Sequence, residues 1–375
     1  MEILISAGEA SADRYGAAVM AEVRLRRPSV LFSGMGGAAM AREGLELLAD
    51  ARDASVMGFS AVLRRLPALR RAHAALARRL VSGRVRGAFL IDFPDFNLRL
   101  ARIARAAGVR VVYLVAPQVW AWRARRLRTL PALIDRLLCV LPFEEKLLRA
   151  AGVDARFIGH PMRDLAVPAA PPAELRRRHA LPADATLVAL LPGSRTQVVK
   201  RLLPGMVGAA RLLAARRPEV QFLLPAASTI EPRLLSEGAG ALGNRAHVRN
   251  APLTELVPCC TAAVSSSGTA TLELALLGVP CVVVYRVGAA LSWLARRFLR
   301  VPRVGLPNLV AERDLLPERL QADFRPETVA ADIERWLADP PARERLAAEL
   351  RGLRDRLGSP GVLGRAADQL LEVVG

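Results

Sequence analysis

The fold is most clearly indicated by two stretches of the sequence, Thr186–Val199 (TLVALLPGSRTQVV) and Ala262–Ala275 (AAVSSSGTATLELA). In each, an apolar run typical of a strand passes through a short Gly/Ser loop directly into a helical pattern. Such a loop aims backbone N–H groups and the positive end of the helix at one point, which suits an anionic phosphate. The sequence therefore predicts two phosphate-binding loops, each at the end of a strand.

The residues around these loops indicate a nucleotide-linked substrate. Glu273 lies one turn into the second helix, where its carboxylate could accept two hydrogen bonds from a ribose diol; a solvated glutamate is the structural alternative. Arg195 precedes a helix, where its charge opposes the helix dipole unless a phosphate is bound. Ser267 and Thr269 could instead cap the helix that follows them.

Apolar runs alternate with helical patterns along the chain, which predicts parallel sheets covered by helices on both faces. In such folds ligands bind at the carboxyl ends of the strands. A proline-rich break at Val167–Ala173 divides the 375 residues into two expected domains, 1–167 and 174–375. The expected strands are Glu2–Ser6, Val30–Ser33, Ala88–Ile91, Val109–Val115, Leu137–Leu141, Thr186–Leu191, Gln221–Leu224, Ala246–Val248, Ala262–Ser265 and Cys281–Tyr285.

The composition favours a cytoplasmic protein without a cofactor or metal. Hydrophobic residues make up 52% of the chain, no signal peptide precedes the first strand, and no apolar run reaches the ~18 residues that span a bilayer. The cysteines lack the spacing of metal ligands, so we expect reduced thiols in the core. They are Cys139, Cys259, Cys260 and Cys281.

The net charge of +19 allows two interpretations. Solvated, arginine-rich helix faces would account for it, and so would attraction to a polyanion such as an anionic membrane surface. Nucleic acid is not expected as a partner, because aromatic residues are only 5% of the chain and no zinc-finger spacing or RNA-binding motif occurs.

The segment Phe59–Leu80 carries an apolar stripe flanked by arginines, and a similar pattern recurs at Leu291–Leu299. This is typical of a helix lying in a membrane interface and equally of a surface helix packed on a domain core. Pro67 is expected to start or interrupt a helix there. The stripe consists of Phe59, Val62, Leu63, Leu66, Leu69, Leu76 and Leu80.

A third loop, Ile91–Asn97 (IDFPDFN), follows an apolar strand and precedes a helix. Asp95 and Asn97 are residue types that cap helices, which is their structural interpretation. Asp92 lies too far before the helix to be a cap. An aspartate at the end of a strand, facing a cleft, is a candidate general base.

These segments, together with others in the same order along the chain, resemble the bacterial lipid-A-disaccharide synthases. The indole-rich VWAWR and the IDFPDFN segments are the most specific parts of the resemblance. The matching segments are AGEASAD (7–13), MGFSAVL (57–63), IDFPDFNLRLA (91–101), APQVWAWR (116–123), LPFE (141–144), FIGHP (157–161), LLPGSR (190–195), SSGTATLE (266–273) and LPNLVAERDLLPERLQ (306–321).

The resemblance implies a GT-B glycosyltransferase, an α/β protein with two Rossmann-like domains whose parallel sheets face each other across a cleft. The expected substrates are UDP-2,3-diacylglucosamine and 2,3-diacylglucosamine 1-phosphate, and the products are a β(1→6) disaccharide 1-phosphate and UDP. An α-linked donor and a β-linked product imply an inverting mechanism. No DxD motif occurs, so positive side chains and helix ends would replace a metal in neutralising UDP.

The resemblance also assigns residues. Asp92 matches the probable base and Arg195 the arginine positioned for the diphosphate. Three positions, Glu9, Ser11 and Asp95, are assigned to the acceptor side, where the family usually has glycine in place of Ala12. The residues expected to hold the nucleotide sugar are Ser194, Ser267, Gly268, Thr269, Glu273 and Asn308.

Acylated substrates imply a peripheral enzyme on the inner face of the cytoplasmic membrane, with Phe59–Leu80 as its docking helix, and a homodimer is a further expectation. Two alternatives remain open at this point. Another GT-B transferase or epimerase would act on a UDP-sugar without acyl chains. A non-enzymatic basic binding protein would explain the charge but would leave Asp92 and Glu273 without a task.

Overall fold

The computed structural model describes residues 1–51, 59–117, 124–227, 229–288 and 303–375, without the side chains of 59–65 and 124–125. Part of MGFSAVL, the whole of VWAWR and the whole Leu291–Leu299 pattern lie outside the described residues. The chain forms two compact units, one of residues 1–164 with 357–375 and the other of residues 165–356. The last helix therefore belongs to the first unit.

The strands are short and mostly apolar on both faces, as strands of covered parallel sheets are. They are β1 (Glu2–Ala7), β2 (Leu31–Gly36), β3 (Glu46–Asp50), β4 (Val85–Ile91), β5 (Arg110–Leu114), β6 (Arg136–Cys139), β7 (Ala155–Phe157), β8 (Thr186–Leu191), β9 (Val220–Pro225), β10 (Ala246–Arg249), β11 (Ala262–Ser266), β12 (Cys281–Tyr285) and β13 (Glu318–Leu320).

Helices follow most of the strands and run back across the sheets. They are α1 (Ala10–Arg26), α2 (Ala38–Arg42), α3 (Phe59–Leu80), α4 (Pro94–Ala106), α5 (Leu130–Leu133), α6 (Pro142–Ala150), α7 (Met162–Leu165), α8 (Pro172–Arg178), α9 (Thr196–Arg216), α10 (Pro232–Gly238), α11 (Leu253–Leu256), α12 (Thr269–Leu276), α13 (Leu306–Ala311), α14 (Pro326–Ala338), α15 (Pro340–Gly352) and α16 (Val362–Val374).

Each unit contains one sheet built on the same plan. The first sheet has the order β3-β2-β1-β4-β5-β6-β7 and the second the order β10-β9-β8-β11-β12-β13, and the described pairings are parallel. In both, the chain winds outward from the first strand in one direction and then in the other. This is the doubly wound Rossmann topology, which places a switch point between β1 and β4 and between β8 and β11.

Each sheet has its own core. In the first unit, one face of the sheet packs under α3 and α4, with Leu4, Leu76 and Tyr113 fully buried. In the second unit, α9 and α14 cover the sheet around Val188, Phe222 and Phe324. The predicted core thiols are confirmed: the four cysteines are buried and unpaired.

The helix α3 corrects two expectations from the sequence. Pro67 neither starts nor interrupts it but lies inside a helix that runs from Phe59 to Leu80. Leu76 and Leu80, which belong to the apolar stripe, are 0% and 1% exposed in the core, so this end of the stripe packs on the domain. Among the described helices, none has the length and apolar character needed to cross a bilayer.

Candidate active site

The switch point of the first sheet brings two loops together at the carboxyl edge. Ala7 at the end of β1 pairs with Ile91 at the end of β4, so Gly8–Glu9 and Asp92–Phe93 leave the sheet side by side. Ser11 lies in the first turn of α1 and Asp95 in the first turn of α4. The four residues predicted for the acceptor side and for proton transfer therefore lie at one edge of this sheet.

The turn that carries Asp92 has an unusual backbone. Asp92 and Phe93 have φ values of 48° and 50°, in the left-handed region that costs a bulky residue such as phenylalanine about 1–3 kcal/mol. A Cβ atom at Gly8 would lie 2.6 Å from the Phe93 ring, so glycine is needed there for the turn to fit against β1. The turn is held by its surroundings, which is a feature of functional sites.

Two buried polar side chains hold this turn. The Asn97 amide donates to the carbonyl oxygens of Asp92 at 2.8 Å and Ile91 at 3.2 Å, and its own oxygen accepts from the Ser6 hydroxyl at 2.6 Å. The Tyr113 hydroxyl donates to the Asp92 carbonyl oxygen. Burial, reinforced by the Asp92 charge, raises the pKa of Tyr113, which keeps it a donor.

The interpretation of Asp95 and Asn97 as helix caps is wrong. The left-handed turn at 92–93 lets α4 begin directly at Pro94, with Phe93 at the capping position and no side-chain cap. Asn97 is therefore inside the helix and 0% exposed, where it bonds to strand ends. Asp95 is exposed at the second helical position and forms an ion pair with Arg126.

The AGEASAD segment begins α1 directly after β1. Glu9 and Ser11 are half-buried, and Ala12 is a buried residue of the helix without positive φ, so alanine in place of glycine introduces no strain. Asp13, which sequence reasoning did not single out, accepts hydrogen bonds from the backbone N–H groups of Gly37 at 2.8 Å and Ala39 at 2.9 Å. Its carboxylate thereby caps α2.

The second switch point repeats this arrangement with the two Gly/Ser loops. Leu191 of β8 pairs with Ser265 of β11, so the loop 192–195 and the loop 267–268 leave the sheet as neighbours. Gly193 has φ 120°, and a Cβ atom there would lie 3.1 Å from the Ser266 hydroxyl oxygen. The Thr229 hydroxyl donates to the Ser194 carbonyl oxygen at 2.6 Å and fixes the first loop.

Arg195 occupies the position just before α9, a helix of 21 residues, and its side chain is half-buried. Burial raises the pKa of Tyr285 at the end of β12, and the charges of Arg195 and Arg201 oppose that rise. Both guanidinium groups therefore lie near the carboxyl edge of β12. A helix start with the Arg195 cation directly before it favours an anion.

Gly268 begins α12 in a conformation that only glycine adopts readily, with φ 154° and ψ −168°. A Cβ atom built on Gly268 would meet nothing within 4 Å among the residues that the structure describes, so its backbone is open on that side to the described part of the unit. Thr269 follows, half-buried, in the first helical turn. The start of α12 is thus accessible to a ligand.

Glu273 is 2% exposed, so the interpretation as a solvated first-turn glutamate is wrong. Its carboxylate is buried one turn below the start of α12, at the edge where the two loops leave the sheet. A carboxylate can accept several hydrogen bonds, and the two hydroxyl groups of a ribose are donors of a suitable kind.

Asn308 is 1% exposed and bonded entirely within the protein. Its amide nitrogen donates to the Leu316 carbonyl oxygen at 2.8 Å and to Glu318 at 2.9 Å. Its oxygen accepts from the backbone N–H groups of Leu315 at 2.9 Å and Leu316 at 2.8 Å. Asn308 therefore links α13 by hydrogen bonds to residues 315–318, which lead into β13.

A large concavity lies at the opposite edge of the first sheet. Its volume is about 880 Å³, and it is lined at the amino ends of β4 and β5 by residues such as Val85, Val109 and Arg110. In a parallel α/β fold this edge carries the negative ends of helices, unlike the switch point. No group of three or more metal-ligating side chains is assembled among the residues that the structure describes.

Solved structures of nucleotide-sugar enzymes share this fold. The UDP-GlcNAc 2-epimerase from Neisseria meningitidis bound to UDP-GlcNAc superposes with a TM-score of 0.69 at 12% identity, covering 99% of this chain and 100% of that one. WaaG, a glycosyltransferase involved in lipopolysaccharide biosynthesis, gives 0.57 at 13% identity, with 99% of each chain covered. The expected fold is confirmed: the chain is an α/β protein of the GT-B class.

Sequence comparison narrows the class to one family. Residues 3–347 match the family model described as lipid-A-disaccharide synthetase. The lipid-A-disaccharide synthases of Myxococcus xanthus (strain DK1622) and Geobacter sulfurreducens are 45% and 37% identical to the chain, covering 99% and 100% of it and 97% of each relative. The chain therefore belongs to the lipid-A-disaccharide synthase family of glycosyltransferases.

Proposed function

We propose that this protein condenses UDP-2,3-diacylglucosamine with 2,3-diacylglucosamine 1-phosphate, giving the β(1→6)-linked disaccharide 1-phosphate and UDP. The observation that carries the proposal is the family match over residues 3–347, within which Asp92 and Glu273 lie at the two switch points. A binding protein without enzymatic activity would not need either carboxylate at those edges.

In the proposed reaction the Asp92 carboxylate accepts the proton of the acceptor 6-hydroxyl. The hydroxyl oxygen attacks C1 of the donor sugar while the bond from C1 to the UDP oxygen breaks, in a single displacement with inversion. Asp92 is half-buried in a turn held by Asn97 and Tyr113, so its position is set before the substrates arrive. Positioning of this kind is a large part of the advantage of a general base.

The leaving UDP carries negative charge, which the second unit is suited to stabilise. Arg195 and the start of α9 face the loop that precedes α12, and Gly268 leaves its backbone open. We assign the diphosphate to this edge, where Ser194, Ser267 and Thr269 line the site. We assign the ribose to Glu273. The proposed mechanism needs no metal, since fixed positive charge and helix ends take its place.

The acylated substrates place the enzyme at the inner face of the cytoplasmic membrane. Leu76 and Leu80 of the α3 stripe are in the core, whereas Leu66 and Leu69, nearer the start of the helix, are half-buried. We assign membrane contact to this end, including the half-buried Leu66 and Leu69.

The proposal is tested by incubating the purified protein with both acylated sugars in detergent micelles and measuring UDP release and product mass. We expect an acylated disaccharide 1-phosphate from the wild type and none from a folded Asp92→Asn variant. UDP release from a non-acylated donor, without acylated disaccharide, would instead indicate a different UDP-sugar transferase. The reaction mixture should contain EDTA, because the proposed activity is independent of added metal.

A further inference from the structure

Ser267 is predicted to bind phosphate, yet both of its hydrogen-bond donors are used inside the protein. Its backbone N–H donates to the Val284 carbonyl oxygen at 3.1 Å, and its hydroxyl donates to the Val304 carbonyl oxygen at 3.1 Å. A hydroxyl has one hydrogen to donate. In this arrangement the Ser267 hydroxyl is bonded to Val304, and we call residues 304–305 the 304 segment. Ser267 therefore has no donor left for a phosphate oxygen.

The 304 segment is in turn held by one carboxylate. Glu318 in β13 accepts hydrogen bonds from the Val304 N–H at 2.9 Å through one oxygen and from the Gly305 N–H at 2.9 Å through the other. The second oxygen also accepts from the Asn308 amide at 2.9 Å. Bonds to a charged acceptor are roughly twice as strong as neutral ones, so the three bonds to Glu318 hold this segment firmly.

The chain of contacts ends at the nucleotide loop. It runs from Asn308 and Glu318 to the Gly305 N–H group, which shares one peptide group with the Val304 carbonyl, and from that carbonyl to Ser267, which immediately precedes Gly268. The first N–H groups of a helix have no partner within it, and those of Thr269 and Ala270 follow the open Gly268 backbone. A shift of Ser267 would therefore displace the donors that are free to face a diphosphate.

We propose that Glu318 is a positioning residue for the donor nucleotide. Glu318 orients the Val304 carbonyl group, and the hydrogen bond from Ser267 to this carbonyl fixes the position of Ser267. We call this linkage from Glu318 to Ser267 the strut. The strut orients the N–H groups at the start of α12 and the Thr269 hydroxyl toward the diphosphate. Ser267 acts through this geometry and not as a phosphate ligand. This inference rests on the proposed function, because it requires that a UDP moiety binds at this edge.

The variant Glu318→Gln tests the strut. Glutamine offers one oxygen and one NH2 group, so it can accept from only one of the Val304 and Gly305 N–H groups and must turn donor hydrogens toward the other. We expect the dissociation constant of UDP, measured by isothermal titration calorimetry on the purified chain, to rise roughly tenfold, the effect of misaligning one N–H donor to a charged phosphate oxygen.

The matched control is Arg319→Gln, one residue further along β13. The Arg319 side chain is bonded to Asp332 at 2.6 and 2.8 Å, away from the 304 segment. We expect both variants to lower the thermal unfolding midpoint but only Glu318→Gln to weaken UDP binding. Equal weakening in both variants, or UDP affinity within twofold of wild type in a folded Glu318→Gln protein, would overturn the assignment.

A double-mutant cycle shows whether Ser267 and Glu318 affect UDP binding through one shared linkage or independently. If Ser267 acts only through the Val304 peptide, Ser267→Ala weakens UDP binding about as much as Glu318→Gln, and the double variant is no weaker than either. Additive losses would show Ser267 to be a direct ligand and would contradict the proposal. Absence of UDP binding by the wild type would instead overturn the proposed function, and this inference with it.

Discussion

The amide nitrogen of Asn97 donates to the carbonyl oxygen of Asp92 at 2.8 Å, across one helical turn and the left-handed turn before it. Because Asn97 is fully buried and is also bonded to Ser6, it ties the proposed base to the ends of both central strands of the first sheet. The backbone of Asp92 is therefore held by side chains of the core.

The substitution Asp92→Asn is expected to reduce disaccharide formation by about 10²–10⁴-fold, the usual contribution of a general base. Asparagine tolerates positive φ, so the turn with φ 48° at this position should be kept. UDP affinity should stay unchanged, as measured by calorimetry. The control is Asp184→Asn, which changes an exposed aspartate just before the amino end of β8 in the second unit. Comparable losses in the two variants would contradict the assignment.

Removal of the Asn97 side chain should lower both stability and activity. Asn97→Ala leaves the Ser6 hydroxyl and the carbonyl oxygens of Ile91 and Asp92 without these partners, at a cost of about 3 kcal/mol in the free energy of unfolding. Urea denaturation measures this cost. Asn97→Asp keeps the acceptor for Ser6 but loses the donors, so it should impair activity as well. Full activity in either variant would show that the Asp92 turn needs no such support.

Replacing Arg195 should weaken the binding of UDP. Arg195→Gln removes one charge beside the start of α9, and we expect the UDP dissociation constant to rise at least tenfold, with a smaller dependence on salt concentration. Arg195→Lys should restore part of the affinity. Titrations at low and high ionic strength provide the measurement, and an unchanged salt dependence would place Arg195 away from the phosphates.

Membrane contact through α3 predicts that the triple variant Leu63→Ser, Leu66→Ser, Leu69→Ser shifts the protein from the membrane fraction to the soluble fraction. The structure adds a contrast, because Leu76 of the same stripe is 0% exposed. Leu76→Ser should instead destabilise the fold by about 2–5 kcal/mol, as core truncations do. Unchanged sedimentation with vesicles by a folded triple variant would remove α3 as the docking helix.

Acid stability should depend on His160. Burial lowers the pKa of His160 to about 4, whereas an unfolded histidine titrates near 6.5. As the pH falls below about 6.5, the unfolded state binds a proton that the folded state resists, so stability declines down to about pH 4 and has lost about 2 kcal/mol at pH 5. His160→Asn should flatten this part of the profile in urea denaturation, while His247→Asn should leave most of it.

The sequence predicts all the inner strands of both sheets but only one of the four edge strands, β10. The ten expected strands are present, and the strands that were missed, β3, β7 and β13, all lie at the outer edges of the two sheets. Edge strands are short and partly exposed, so segments such as ELLAD and ERL show no buried apolar run. Central strands show that run because helices cover both of their faces.

The site residues likewise fall into those that the sequence predicts and those that it does not. The loop residues Asp92, Arg195 and Gly268 could be found because strand, loop and helix follow one another along the chain. The side chains that hold them could not be found, since Tyr113 reaches Asp92 from the next strand and Glu318 comes from an edge strand with no motif of its own. Such partners are brought together only by the order of strands in the sheet.

The placement of α16 in the first unit has a consequence for synthesis on the ribosome. A Cβ atom at Gly87 would lie 2.1 Å from the Val374 side chain, and Arg26 of α1 pairs with Asp368 at 2.5 Å, so α16 covers the middle of the first sheet. Residues 1–164 emerge first but lack this cover until residues 357–375 follow. Folding of the nascent chain is therefore expected to finish on the second unit before the first, the reverse of the usual order.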